Sequence, residues 1–305
     1  MFSYFNDKEL ILGTAMWGWS VDRATAFSLL DKFYESGYRW LDTATNYPIN
    51  KKADDFRRAE EWLEEWCKIN KIVDMRILVK VGSLANDGSS DINLAPSFLL
   101  MSSDFYHQKF SENLACLSVH WDNSDDFLKV QNTVSAFKKF SEYGLEIGLS
   151  GVKNPHLYAE AAPELLEHWL IQTQENLFTN KARLHYQQFF PDARYLAYGI
   201  NSGGLSFNNS YKPNSSLILR NKNDITNLGR YEEFLIKISE LNGSPRTFNE
   251  LALLAIYHNS AISGVVIGPS KMEQLIETID YWEILQKGVD LEIIKSFVGN
   301  VLENA

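Results

Sequence analysis

The stretch "SGYRWLDTATNYP", residues 36–48, ends a helix, makes a strand and leaves it again within one short passage. Gly37 stands where an amphipathic helix near 22–36 needs a left-handed residue to stop it. "YRWLD" (38–42) follows at once as a buried strand, and its apolar run halts on a carboxylate, Asp42. Five positions on, in a run of small polar residues, stands Tyr47. The order helix, glycine, strand recurs downstream. A helix near 124–143 sets Phe127, Val130, Val134 and Phe137 on one face and reaches Gly144, where "LEIGLS" (145–150) begins.

Working outward, "LILG" (10–13), "ILVKV" (77–81), "CLSVH" (116–120), "WLIQT" (169–173), "RYLAY" (194–198) and "GVVIG" (264–268) complete a set of eight strands. Between them fall further helices, one near 55–69 with Ala59, Trp62, Leu63 and Trp66 on one face and one near 103–113. Continuous apolar strands alternating with helices indicate a parallel sheet covered on its outer face. Eight such units in 305 residues predict an α/β fold, a closed (β/α)8 barrel of the TIM type. A doubly wound open sheet competes on pattern alone, but the first β–α turn, "LGTAMWGWS", lacks the G-x-G-x-x-G of a nucleotide-binding crossover. No Pro- or Gly-rich linker divides the chain, so one barrel domain over 1–305 is expected. Two long connections, 82–102 and 199–231, both follow strands. In a barrel they would rim the C-terminal mouth, where barrel enzymes carry their chemistry.

Composition narrows the function. An apolar fraction of 45% is that of a globular protein with a sizeable core. The net charge of −10 and the lack of a basic stripe disfavour nucleic acid as a partner. No run approaches the roughly 18 consecutive apolar residues of a membrane helix. The N-terminus "MFSYFNDKELIL" has neither a basic start nor a cleavage pattern. Cys67 and Cys116 are too far apart in sequence to read as a ligand pair. They fit a reducing compartment, so the expected location is cytoplasmic, without a disulfide scaffold or a metal site.

The polar residues at strand ends carry the chemistry. Asp42 ends the second strand, Lys80 lies near the end of the third and His120 ends the fourth. An apolar strand does not carry a lysine unless its charge is paired. In a barrel the ends of neighbouring strands converge, which would bring an acid, a lysine, a histidine and Tyr47 into one small volume. A phenol, with an ordinary pKa of about 10, is a poor acid at neutral pH. A nearby ammonium favours the phenolate and is expected to lower that pKa. Asp42 would keep Lys80 charged and oriented, and His120 would direct a substrate oxygen. Such a set can give a proton to a carbonyl oxygen as a hydride reaches its carbon. Trp17 and Trp19 after the first strand, with Trp121 after the fourth, are expected to wall an apolar substrate pocket.

"LDTATNY" (41–47), "LVKVG" (78–82) and "LSVHWD" (117–122), in this order, resemble the aldo-keto reductase superfamily from about residue 9 to 280. The resemblance implies a (β/α)8 barrel that reduces aldehydes and ketones with NADPH, without metal. It maps the catalytic tetrad onto Asp42, Tyr47, Lys80 and His120. It also implies a second reading, a regulatory module that binds cofactor and turns over slowly, as the potassium-channel β-subunits of the superfamily suggest. Clustered His and carboxylate ligands for a metal-dependent hydrolase are absent from the sequence.

"GVVIGPSKMEQLIET" (264–278) is similar to the segment that holds the adenosine 2′-phosphate and adenine. It nominates Ser270, Lys271, Gln274 and Glu277. Taken by themselves, Ser270 and Glu273 form a capping box. A helix N-terminus beside a lysine also suits an anion. An Arg found near Gln274 in some members is missing, and Thr278 replaces Asn, so NADPH is expected with NADH possible. The resemblance further nominates Gly13 and Thr14 after the first strand, and Ser150 in "IGLSG", where Gly151 replaces an Asn. Gln172 in "LIQTQENLF", Tyr198 as the ring under nicotinamide, and Ser202 and Gly204 near pyrophosphate complete the set. The implied partner is a small-molecule carbonyl substrate. Neither its identity nor the oligomeric state follows from the sequence.

Overall fold

Eight parallel strands follow one another around a closed barrel in the computed structural model, which describes residues 8–87, 89–207 and 228–297. They are β1 (Glu9–Gly13), β2 (Trp40–Ala44), β3 (Arg76–Val81), β4 (Leu114–His120), β5 (Glu146–Ser150), β6 (Trp169–Gln174), β7 (Arg194–Tyr198) and β8 (Gly264–Ile267). Helices α1 (Arg23–Glu35), α2 (Arg58–Asn70), α3 (Pro96–Phe110), α4 (Phe127–Glu142), α5 (Pro155–Ala161) and α6 (Lys181–Gln187) follow the first six strands in turn. Between β7 and β8 the described residues contain α7 (Gly229–Ile238) and α8 (Phe248–Tyr257), and after β8 come α9 (Met272–Lys287) and α10 (Leu291–Phe297). The expected barrel is the observed one. The 208–227 part of the long connection after β7 lies outside the described residues.

Local signals place the helices. Asp22 caps α1 by accepting from the Thr25 N–H, and Asp126 caps α4 by accepting from the Leu128 and Lys129 N–H groups. Gly37 and Gly144 adopt φ of +90° and +85°, the left-handed exits read from the sequence. One boundary differs. The helix expected near 103 begins at Pro96, so the connection after β3 is about two helical turns shorter than the expected 82–102. Proline fits the first turn of a helix because its missing N–H has no partner there anyway. The polar run Ser102–Asp104 hid the earlier start, since Ser103 lies on the buried face with Leu99, Tyr106 and Phe110.

Alternation along the strands then builds the site. Ile11, Trp40, Leu78, Cys116, Leu170 and Leu196 form one apolar cluster, separate from the large core shared by the strands and their helices. Side chains two residues apart share a face of a strand. Two steps beyond this inner layer lie Asp42 after Trp40, Lys80 after Leu78, Ser118 after Cys116, Gln172 after Leu170 and Tyr198 after Leu196. His120 is one further double step along β4. The barrel interior is therefore apolar below and polar towards the C-terminal mouth. Among the described residues no helix is long and apolar enough to cross a membrane.

Candidate active site

Lys80 lies within the barrel with only 2% of its surface exposed, and Asp42 with 3%. The Lys80 ammonium donates to both carboxylate oxygens of Asp42, at 2.6 and 2.5 Å. Gln172, from across the barrel, donates its amide N–H to Asp42 Oδ1 at 2.7 Å. These contacts satisfy the buried carboxylate and fix the direction of the lysine. Burial opposes the charge on Lys80, but Asp42 and Tyr47 prevail and hold its pKa above the ordinary lysine value.

Tyr47 comes to the same place from the loop after β2. Lys80 Nζ is 4.8 Å from the centre of its ring, and the His120 imidazole meets it edge-on at 6.1 Å. The loop is held from several directions: Tyr47 N–H donates to the Ala44 carbonyl, Thr45 Oγ1 to the Ser83 carbonyl, and Asn86 Nδ2 to the Pro48 carbonyl. Asn86 had no signal in the sequence, because an asparagine in a polar connection reads as an ordinary turn former. The expected lowering of the Tyr47 pKa is corrected by its surroundings. Burial raises it and is the largest influence, Lys80 pulls against it, and Asp42 adds to the rise, leaving the phenol above its ordinary value. The phenol is thus held protonated at neutral pH.

His120 is buried, and burial together with the Lys80 charge holds its pKa well below the ordinary imidazole value. It is a neutral ring at neutral pH. Its Nδ1 is buried without a hydrogen-bond partner. Register sets His120 beside Ser150 and Ser150 beside Gln172, so these side chains share one level of the barrel. Acid, lysine, tyrosine and histidine therefore meet as the strand ends suggested.

The tryptophans separate. Trp121 is 43% exposed beside His120, with ring centres 4.4 Å apart. Trp19 is half-buried. Trp17 is corrected: it has no exposed surface and belongs to the core, so it cannot wall an open pocket. A tryptophan after a strand reads alike in sequence whether it turns inward or towards the mouth.

The remaining candidates fall into three groups. Thr14 is fully buried, its hydroxyl taken up by the Asp42 carbonyl and Thr43 Oγ1, and Gly13 lies where a Cβ would come within 2.9 Å of Val266. Both hold β1 to its neighbours. Tyr198, at the end of β7, is 37% exposed. Beyond it, Ser202, Gly203 and Gly204 run consecutively with φ of +50°, +96° and +101°, and Ser202 Oγ is buried without a partner. The Ser202 and Gly204 N–H groups donate within the turn, to the Gly199 and Asn201 carbonyls, which leaves the Ser202 hydroxyl as the buried donor without a partner. At the third place, Ser270 donates both its N–H and its hydroxyl to Gln274 Oε1, at 2.9 and 3.1 Å. The expected Ser270–Glu273 capping box is corrected accordingly. Lys271 takes the cap position, α9 starts at Met272, and Gln274 rather than Glu273 reaches back. Lys271 is exposed at that helix start, and Glu277 accepts from Thr247 Oγ1 at 2.7 Å.

The sequence profile of the Aldo/keto reductase family matches residues 9–298. The chain belongs to that family. As an aldo/keto reductase it is an oxidoreductase, of a family that reduces carbonyl groups and generally uses NAD(P)H. It is similar to "Uncharacterized oxidoreductase YrpG" of Bacillus subtilis (strain 168), with 25% identity over 311 residues, 94% of this chain and 90% of that protein. A shorter stretch of 59 residues, 19% of this chain and 24% of the other, is 36% identical to "Putative aryl-alcohol dehydrogenase AAD6" of Saccharomyces cerevisiae (strain ATCC 204508 / S288c). Among the described residues of this reductase no three His, Cys, Asp or Glu side chains gather in a way that could hold a metal ion.

Proposed function

We propose that the chain, acting as one barrel unit over residues 1–305, reduces an aldehyde or ketone to an alcohol with NADPH, and that Tyr47 supplies the proton. The observation that carries this reading is Lys80, buried and charged, paired with Asp42 and set against the Tyr47 ring. A buried ion pair contributes little to stability by itself, which leaves its effect on the phenol as the reason for its place. A bound reduced nicotinamide supplies the hydride. Tyr198, the turn at Ser202–Gly204, Ser270 and Lys271 suit such a dinucleotide, and the unpartnered Ser202 hydroxyl in its left-handed turn supports that fit.

The roles of the chain's own groups follow. His120, neutral, directs the carbonyl oxygen towards the Tyr47 hydroxyl. Tyr47 gives its proton to that oxygen as the carbon is reduced, and Lys80 stabilises the phenolate left behind. Asp42 keeps Lys80 in position. Because reduction needs the phenol protonated, its rate should stay level from neutral pH upward and fall only as pH passes the raised Tyr47 pKa. Tyr47→Phe tests the reading. Turnover of aldehydes, followed through NADPH absorbance, should drop more than about tenfold, since the proton donor is lost. The dissociation constant for NADPH, followed by quenching of tryptophan fluorescence, should scarcely change. A variant that keeps its turnover rules Tyr47 out as the donor.

A further inference from the structure

A cavity of about 230 Å³ lies between the start of α2, the helix α3 and the loop after β3. None of Asp42, Tyr47, Lys80 or His120 lines it. Its wall is mainly apolar: Phe56 before α2, Leu84 from the loop, and Phe98, Met101 and Phe105 from successive turns of α3. Two polar groups interrupt that wall. Ser83 is 4% exposed, and among the described residues its hydroxyl is buried without a hydrogen-bond partner. A buried hydroxyl left in this way costs free energy. Arg57 has φ +68°, a left-handed backbone held by its own N–H, which donates to the Thr45 carbonyl at 3.1 Å. Its guanidinium carbon stands 4.3 Å from the centre of the Phe105 ring, so the charge is laid against the aromatic wall. Arg57 Nε donates to Glu60 at 2.6 Å, but Glu60 does not belong to Arg57 alone. It also accepts from the Tyr106 hydroxyl at 2.6 Å and has Lys109 at 3.6 Å, while Glu64 pairs with both Lys109 and Lys68. Three cations thus share two carboxylates, and one positive charge is left over.

We propose that this cavity is a binding site for a small aromatic carboxylate, with the ring among Phe56, Phe98 and Phe105 and the carboxylate on Arg57 and Ser83. The chemistry of the wall selects each part. An arginine offers only donors, so what meets it must accept, and a serine hydroxyl can donate to the same group. The charge left over in the Arg57–Glu60–Lys109 cluster favours an anionic acceptor over a neutral one. Aromatic walls favour a ring, which gains from offset or edge-on contact beyond the area it buries. Size agrees as well. An apolar cavity of about 150 Å³ takes up benzene, so about 230 Å³ has room for a ring and one carboxylate. Binding here involves none of the groups proposed for carbonyl reduction, so the inference does not depend on that reading.

The test is calorimetric titration of the full chain with benzoate, and with benzamide as the uncharged probe of the same shape. Benzoate should bind with a dissociation constant below about 1 mM, and benzamide roughly tenfold more weakly. Ser83→Ala should weaken benzoate by roughly three- to tenfold without disturbing the fold, since the hydroxyl has no partner to lose. Met101→Trp places a larger side chain at a position that is 71% exposed, and should abolish binding by filling the cavity. Arg57→Gln should remove the preference for benzoate over benzamide. If that variant fails to fold because Glu60 loses a partner, Ser83→Ala and Met101→Trp decide the matter. His120→Asn should leave benzoate binding unchanged, because the imidazole belongs to the barrel interior. Absence of binding at about 10 mM benzoate overturns the proposal, as does equal affinity for the two probes. So does binding that survives Met101→Trp and is lost in His120→Asn, which would place the carboxylate at the barrel mouth.

Discussion

Breaking the Lys80–Asp42 pair should cost far more than the pair contributes while intact. Lys80→Met leaves Asp42 buried with Gln172 as its remaining donor. Removing one partner of a buried pair typically costs about 3–5 kcal/mol, so urea denaturation of this variant should show a loss near the lower end of that range. His120 adds a pH dependence of known sign. Its folded pKa lies well below 6.5, so below that pH the unfolded chain binds a proton that the folded one excludes. Stability should therefore decline as pH falls through 6.5, by at most about 1.4 kcal/mol per pH unit, and the slope should flatten in His120→Asn. The lysine, the acid and the histidine were legible in the sequence because charge inside an apolar strand is costly and needs a reason. The net rise of the Tyr47 pKa was not, because the pull of Lys80 is implied by proximity while burial becomes visible only in the folded chain. Gly151 read as a missing contact, and only coordinates reveal the Trp121 indole lying over it.

Helix starts explain why the cofactor segment read less clearly than the strands. The strands announce themselves as continuous apolar runs, two of them directly behind a helix-ending glycine, and their order around the barrel follows from alternation with helices. A cap depends on which residue leaves helical geometry first, and Ser270 and Lys271 are both plausible from sequence. With the start at Met272, Gln274 takes both Ser270 donors, and Lys271 is left as the exposed cation at the head of α9. Preference for NADPH should then be modest. Lys271→Ala should weaken NADPH binding by roughly fivefold, the scale of one exposed ionic contact, and leave NADH binding almost unchanged. Fluorescence titration with each cofactor measures both, and an equal loss for the two would show that Lys271 does not meet the 2′-phosphate. At α4 the cap is unambiguous: Asp126 accepts from two backbone N–H groups, so Asp126→Ala should destabilise by about 1 kcal/mol without altering turnover.

At the scale of the whole barrel, closure and chemistry depend on the same narrow interior. Eight strands can close only where facing side chains leave room, and β5 meets this condition with Gly148, level with Ser118 on β4 and Leu170 on β6. A Cβ at Gly148 would overlap Ser118 Oγ and stand 2.8 Å from the Leu170 carbonyl oxygen, which belongs to a strand and cannot swing aside. Glycine here is a matter of space, since its φ is one that any residue adopts. The sequence "LEIGLS" shows the strand but not this function, because crowding across a barrel comes from residues far away in the chain. Ser118 precedes His120 by two residues on one face of β4, and Ser150 follows Gly148 by two on β5. Displacing this level therefore displaces the next. Gly148→Ala should destabilise the fold by about 1–3 kcal/mol, the usual cost of overpacking a filled interior. It should also lower kcat more than it raises the dissociation constant for NADPH, because His120 moves while Ser270 and Lys271 lie beyond β8 and do not. Urea denaturation, turnover and fluorescence titration of this one variant distinguish the cases. Loss of stability with kcat intact would mean that β4 and β5 yield below the site without shifting it, and that the interior layers are less tightly coupled than their shared strands imply.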